Sequence, residues 1–183
     1  DGVGRAQLEI AGGKWQRLSL GAFSIDAELS GDALALAHLD VPLLDGRLQL
    51  HDLAVERGAD GWRGQGRTEL APVSMASLSA ALGWPAMTGE ISAVLPGLRI
   101  LPGEVRLDGV LDVSVFDGKV TVSQLALFEP FGAASHLSAD VSARNLDLGR
   151  LTETFSFGGM TGRIDVDIGA LELVGWQPTQ FDA

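Results

Sequence analysis

Few side chains in this 183-residue chain could do chemistry, and none stands in a working set. Cysteine is absent, so there is neither a thiol nucleophile nor a disulfide framework, and the redox compartment stays open. The three histidines, His38, His51 and His136, lie singly in alternating stretches and not at metal-ligand spacing. They read as strand-face histidines. No Gly-x-Ser-x-Gly elbow exposes a serine, and Gly64-Gln65-Gly66 lacks the third glycine before a helix that a dinucleotide-binding turn needs. Asp165 and Asp167 share one face of a strand and could make half of a carboxylate pair or a calcium site. A solvated strand face is the simpler reading. Trp84-Pro85 and Trp176-Gln177-Pro178 read as strand-end aromatics closing a core. A polysaccharide hydrolase would need two carboxylates about 5 to 10 Å apart in a cleft, and no spacing here supplies them. The expectation is a non-enzyme with no metal and no cofactor.

The elements carrying these residues recur. FSFGGMTGRIDVDIGALELVG (155–175) repeats the pattern of LGWPAMTGEISAVLPGLRIL (82–101), with Met87-Thr88-Gly89 matching Met160-Thr161-Gly162 at a 73-residue offset. LDVPLLDGRLQLHDLAV (39–55) likewise matches LDVSVFDGKVTVSQLAL (111–127) at a 72-residue offset, one inserted loop residue accounting for the change. A fixed period of this length marks a tandem array of supersecondary units. The expected organisation is 1–31 as N-terminal strands of a preceding repeat, 32–104 as repeat one and 105–183 as repeat two.

Within each unit, apolar residues alternate with polar ones at period two, the signature of half-buried antiparallel strands. Asp45-Gly46 and Asp117-Gly118 separate two such runs and predict a tight type I′ hairpin in each unit. Ser74–Leu82 and Asp147–Phe155 break the alternation; their apolar residues fall three and four apart behind Ser74 or Asp147 as N-cap, which predicts a two-turn helix. The closing strand carries Ile164, Val166 and Ile168, then slips phase at Gly169-Ala170 so that Leu171 and Leu173 continue the same face. Leu95-Pro96-Gly97-Leu98 repeats the slip, so a bulge or bend is expected in both units. The fold class is therefore mainly β: an elongated, repeat-built antiparallel or mixed sheet, with one short helix per repeat of about 72–73 residues.

Composition narrows the partners. The formal net charge of −11 argues against nucleic acid and against docking on an anionic bilayer surface. The apolar share of 46% is that of a core-forming chain, and no run approaches the ~18 apolar residues of a spanning helix. The chain opens without Met or a basic-then-apolar leader, as expected of an internal or processed stretch. An apolar sheet face this long either meets a second layer, as in a sandwich, or stays open and binds something apolar. Alternation fits both.

The second unit, from Leu111 through the Asp117-Gly118-Lys119 hairpin, Leu146-Asp147-Leu148, Phe155–Gly162 and the closing Trp176–Phe181, resembles the repeat of the AsmA-like proteins. It is most similar to the YdbH-type branch and more distantly to TamB. The resemblance covers about 103–183 and implies an open β-groove, anchored in the inner membrane of a Gram-negative bacterium, that crosses the periplasm and carries phospholipid toward the outer membrane. Under it, a phospholipid or other acyl-chain lipid is the expected ligand. The alternating set Leu48, Leu50, Leu111, Val113, Val115, Val120, Val122, Val141, Ile164, Val166 and Ile168 is the expected lining. Envelope proteins, and self-association through exposed sheet edges, are the expected protein contacts. The competing expectation is a closed β-sandwich or spacer module of an envelope protein or adhesin.

Overall fold

The computed structural model describes residues 3–132, 135–174 and 177–182. They form one 13-stranded sheet, paired antiparallel throughout, and two short helices. After the N-terminal strands β1 (Gly4–Ile10), β2 (Gly13–Trp15), β3 (Leu18–Leu20) and β4 (Phe23–Ser30), the same series runs twice. The first is β5 (Ala33–Leu43), β6 (Gly46–Gly58), β7 (Gly61–Ser74), α1 (Met75–Leu82) and β8 (Gly89–Leu101). The second is β9 (Glu104–Val115), β10 (Gly118–Phe128), β11 (His136–Asp147), α2 (Leu148–Phe155) and β12 (Arg163–Val174), with β13 (Gln177–Asp182) after it. From β4 onward each strand pairs with its sequence neighbour, a meander, while β1 pairs β4 and the β2–β3 hairpin hangs off β5. The pairs are all antiparallel: two-residue turns join β4 to β5, β5 to β6, β6 to β7, β8 to β9 and β9 to β10, and the longer connections through α1 and α2 also return the chain antiparallel.

Both helices begin where capping predicts. The Ser74 hydroxyl accepts the Ser77 N–H and the Asp147 carboxylate accepts the Arg150 N–H. Each ends on a left-handed residue, Gly83 in α1 and Ser156 in α2. Backbone amides tie each helix to the hairpin beneath it: Ser74 N–H donates to Asp45, and Asp147 N–H donates to Phe116 O.

The hairpins themselves differ from expectation. Their central residues are Leu44-Asp45 and Phe116-Asp117, since Leu43 pairs Gly46 and Val115 pairs Gly118. Phe116 and Asp117 both have positive φ, so the second turn has the type I′ signature, whereas in the first only Leu44 does. The glycine serves another purpose. A Cβ on Gly46 would lie 2.6 Å from Pro72 O, and one on Gly118 2.6 Å from Arg144 O. Each glycine lets the next strand pass close by on its way to the helix.

The strands run 11 to 14 residues from β5 to β12, and nearly all break at mid-length. Asp52, Gln124 and Ala170 take positive φ, and the register shifts beside each of them and between Val94 and Gly97. The predicted slips are thus real bulges. They bend the strand while returning its apolar side chains to the same face.

The β2–β3 hairpin shows how far the sheet curls. Arg17 of its turn donates to Leu82 O at 2.7 Å, at the helix-bearing end of the strands. Trp15 Nε1 donates to Pro130 O at 3.4 Å and Gln16 Nε2 pairs with Ser135 Oγ at 3.3 Å, in the β10–β11 connection at the opposite end. A straight strand of 12 residues would hold its ends about 40 Å apart at ~3.3 Å per residue. One eight-residue hairpin can touch both ends only because the bent strands bring the two rims of the sheet toward each other.

Candidate functional site

The apolar face runs the length of the sheet, and the mid-strand bends divide it in two. On the helix side of the bends, Met75, Met87, Val113, Val115, Phe116, Ala143 and Leu146 form a buried cluster. Leu78, Ile91, Leu111, Val120, Leu151, Ile164 and Val166 pack against it. Helices α1 and α2 therefore cover this half. Each supplies a leucine, Leu78 or Leu151, and α1 adds Met75.

This divides the expected lining. Val113 and Val115 are core, 8% and 7% exposed, and Leu111, Val120, Ile164 and Val166 pack around them under the helices. They are not an uncovered surface. Leu48, Leu50, Val122, Val141 and Ile168 lie outside that cluster, half-buried, beside the bends. Val122 faces Leu111 on one side and Val141 on the other, and Val141 faces Ile168; Leu48 joins that row through Leu70, Ala93 and Leu111, whereas Leu50 faces Leu39 and Thr68.

Beyond the bends no helix covers the sheet among the described residues. Leu53 and Val55 of β6, Val105 and Leu107 of β9, Leu125 and Leu127 of β10, Leu137 of β11 and Leu171 and Leu173 of β12 alternate there and are half-buried. Direct pairs Leu107–Leu125, Val105–Leu127 and Leu127–Leu137 keep them in rows. The expected lining omitted all nine of these residues because it followed one parity of the alternation. The slip that flips the parity was the signal that would have found them. Gly64 and Gly66 belong to the same face: a Cβ on Gly64 would sit 3.0 Å from Val55 Cγ2, and one on Gly66 3.2 Å from Leu53 Cδ1. Their spacing serves close packing on the trough floor, with no phosphate loop involved.

The outer face is polar and paired. Arg144 holds Asp167 through two hydrogen bonds of 2.7 and 2.9 Å, and Ser142 Oγ adds a third at 2.8 Å. These donors hold the Asp167 carboxyl below its usual pKa, Arg144 contributing most. Asp165 accepts the Asn145 N–H at 2.7 Å. The two acids thus fasten β12 to β11 and form no catalytic pair. Arg47–Asp40, Arg99–Asp108 and Lys119–Asp112 are cross-strand ion pairs on the same side, exposed and individually worth little. His38 and His51 face each other across β5 and β6 with Nδ1 atoms 3.2 Å apart, and His136 stacks on Phe128. Among the described residues no group of three or more His, Asp or Glu gathers as a metal site. Depressions of about 800 and 560 Å³ lie between β1 and β7 on this outer side, with Arg5, Asp26, Glu28, Asp52 and Arg63 at their walls.

Of the two tryptophans expected to close a core, only Trp84 falls among the described residues, and it does not. Trp84 is 36% exposed in the connection after α1, and Trp176 lies outside the described residues. Trp15, at the strap between the rims, is the tryptophan with a structural contact to both the hairpin and the far rim.

No family model matches the chain, and no curated protein or solved structure matches it either. Among the described residues no helix is long and apolar enough to cross a membrane.

Proposed function

We propose that this chain is a segment of a lipid-shielding trough, a repeat-built β-groove of the AsmA-like kind, which holds acyl chains of phospholipid along its apolar face in the periplasm of a Gram-negative envelope. The observation that carries the reading is the half-buried apolar row beyond the bends, from Leu53 on β6 to Leu173 on β12, with no helix over it among the described residues. A ligand for such a row must be long, flexible and apolar. An acyl chain of about sixteen carbons left in water costs on the order of 13 kcal/mol at ~0.8 per methylene, and a continuous apolar strip removes much of that cost without chemistry. The net charge of −11 and the ion-paired outer face suit a segment whose outside stays in water while the lipid headgroup remains solvated at the rim. Anchoring in the inner membrane and delivery toward the outer membrane belong to the same proposal and rest on the resemblance of the second unit alone.

The test is extraction and mass spectrometry of lipid co-purifying with the chain, compared between the parent and two variants. Leu127→Asp places a carboxylate in the uncovered row and is expected to lower bound phospholipid at least about tenfold, because an unpaired charge is not tolerated beside hydrocarbon. Val122→Asp, next to the bend, is expected to lower it comparably. Equal phospholipid on the parent and on both folded variants would remove the proposal. A second reading, a spacer without ligand, is favoured by the cluster under α1 and α2, which fills half of the face with the protein's own side chains.

A further inference from the structure

Two of the chain's three histidines stand directly opposite each other, and the repeat does not require it. At the 72-residue offset His38 becomes Val110 and His51 becomes Ser123, which pair in the same way. The neighbouring Asp40–Arg47 ion pair has its counterpart in Asp112–Lys119, so that contact belongs to the repeat. The imidazole pair is an addition in unit one.

It sits at the bend. The β5–β6 ladder passes from Leu36–Leu53 to His38–His51 with Ala37 and Asp52 left out of it, and Asp52 takes positive φ. On the outer face there, His38 is exposed and His51 half-buried, with Nδ1 atoms 3.2 Å apart. Two nitrogens bound about 2.0–2.1 Å from one ion at a tetrahedral angle stand about 3.3 Å apart, close to that spacing. Rings set end to end by a straight N–H···N bond would have centres about 5.5 Å apart. Here the centres are 4.8 Å apart and the planes tilted by 41°, so at least one nitrogen's lone pair points off the line between them. The adjacent cations are matched by acids. Arg67, which faces His51 across β6 and β7, is held by Asp52, and Arg47 by Asp40. Neither positive charge stands uncompensated beside the imidazoles, and the chain's net charge of −11 favours a cation.

We propose that His38 and His51 form a two-imidazole seat for a divalent ion of the zinc type, on the outer face at the bend of β5 and β6. Imidazole suits such an ion, and water completes its coordination at this exposed place. The ion staples the two strands where their ladder leaves out a pair. The proposal is independent of the lipid reading.

The experiment titrates the metal-stripped chain with Zn²⁺ by calorimetry, in buffer containing millimolar Mg²⁺ and Ca²⁺ to occupy carboxylates, which such hard cations prefer to imidazole. One Zn²⁺ per chain is expected. His38→Ala and His51→Ala are each expected to weaken binding at least about tenfold, since loss of even an outer-shell partner has that effect at metal sites. His38→Gln and His51→Gln, which keep a hydrogen-bonding side chain across the strands, are expected to lose zinc equally. His136→Ala is expected to bind as the parent does. Zinc is also expected to raise hydrogen-exchange protection of β5 and β6 amides beside the bend in the parent and not in the His38 or His51 variants. No binding by the parent at millimolar Zn²⁺, or binding that survives both glutamine substitutions, would overturn the proposal. So would binding lost in His136→Ala, because the ion would then sit elsewhere.

Discussion

The two repeats share a sequence pattern and a fold, yet equivalent residues live in different surroundings. Unit one is flanked on both sides: the β2–β3 hairpin reaches α1 through Arg17, and Val113, Val115 and Phe116 close over Met87. Unit two has its α2 flank open, with Phe157 and Met160 largely in solvent. A residue's contribution in such an array depends on its neighbours as much as on its type, as expected when each unit buries its apolar face only against the next. Paired substitutions at equivalent positions are therefore the sharpest probe of the architecture.

The glycine pair should show the largest contrast. Gly89 and Gly162 both have positive φ, 124° and 119°, so alanine is strained at either by about 1–3 kcal/mol. Gly89→Ala adds a collision with the Ser114 carbonyl that the paired backbone cannot relieve, so its loss of stability in urea unfolding is expected to be well above that of Gly162→Ala. Equal losses would mean that β9 does not press on β8 as described. The methionine pair comes next: Met87→Ala is expected to cost about 2–5 kcal/mol as a buried truncation. Met160→Ala is expected to stay within about 0.5 kcal/mol as a surface change.

The helix caps give a smaller, pH-dependent contrast. Removing the cap in Ser74→Ala or Asp147→Ala is expected to cost about 1 kcal/mol each. Only the second cap titrates. The Asp147 carboxyl is held below its usual value, chiefly by the Arg150 N–H, and Asp167 of the same unit is lowered chiefly by Arg144. A carboxyl whose folded pKa is depressed stabilises the fold fully above the unfolded value, near 4, and loses that contribution as pH falls through the lower folded one. In unit one, Asp45 is lowered the same way by Ser74. Two such acids against one predict that, below about pH 4, amides of unit two lose hydrogen-exchange protection before those of unit one. Loss in the reverse order would break the assignment.

Much of this was legible in the sequence, and for physical reasons. Helix boundaries could be read because Ser74 and Asp147 are local caps whose effect needs no tertiary partner. The bends could be read because a phase slip at Gly169-Ala170 is visible as two parities of one apolar face. What stayed hidden depends on contacts distant in sequence. Gly46 and Gly118 looked like turn residues, yet their need is for space beneath β7 and β11. Val113 and Val115 had the same alternation as Val122 and Val141, and only the placement of α1 and α2 separates core from trough. Nothing in the spacing of Trp15 foretold its reach to Pro130, 115 residues away. Trp15→Ala, which removes that strap, is expected to leave the fold intact while raising exchange at the β10–β11 rim.

The central claim is that hydrocarbon lies along the uncovered half of the apolar face. It is tested most directly by irradiating the chain with a phospholipid bearing a photoactivatable group near the acyl terminus and mapping the crosslinked peptides. The account predicts labelling on β6, β9, β10 and β12 around Leu53, Leu107, Leu127 and Leu173, competed by unlabelled phospholipid. Labelling confined to the Phe155–Met160 flank or the polar outer face, or none at all, would contradict it.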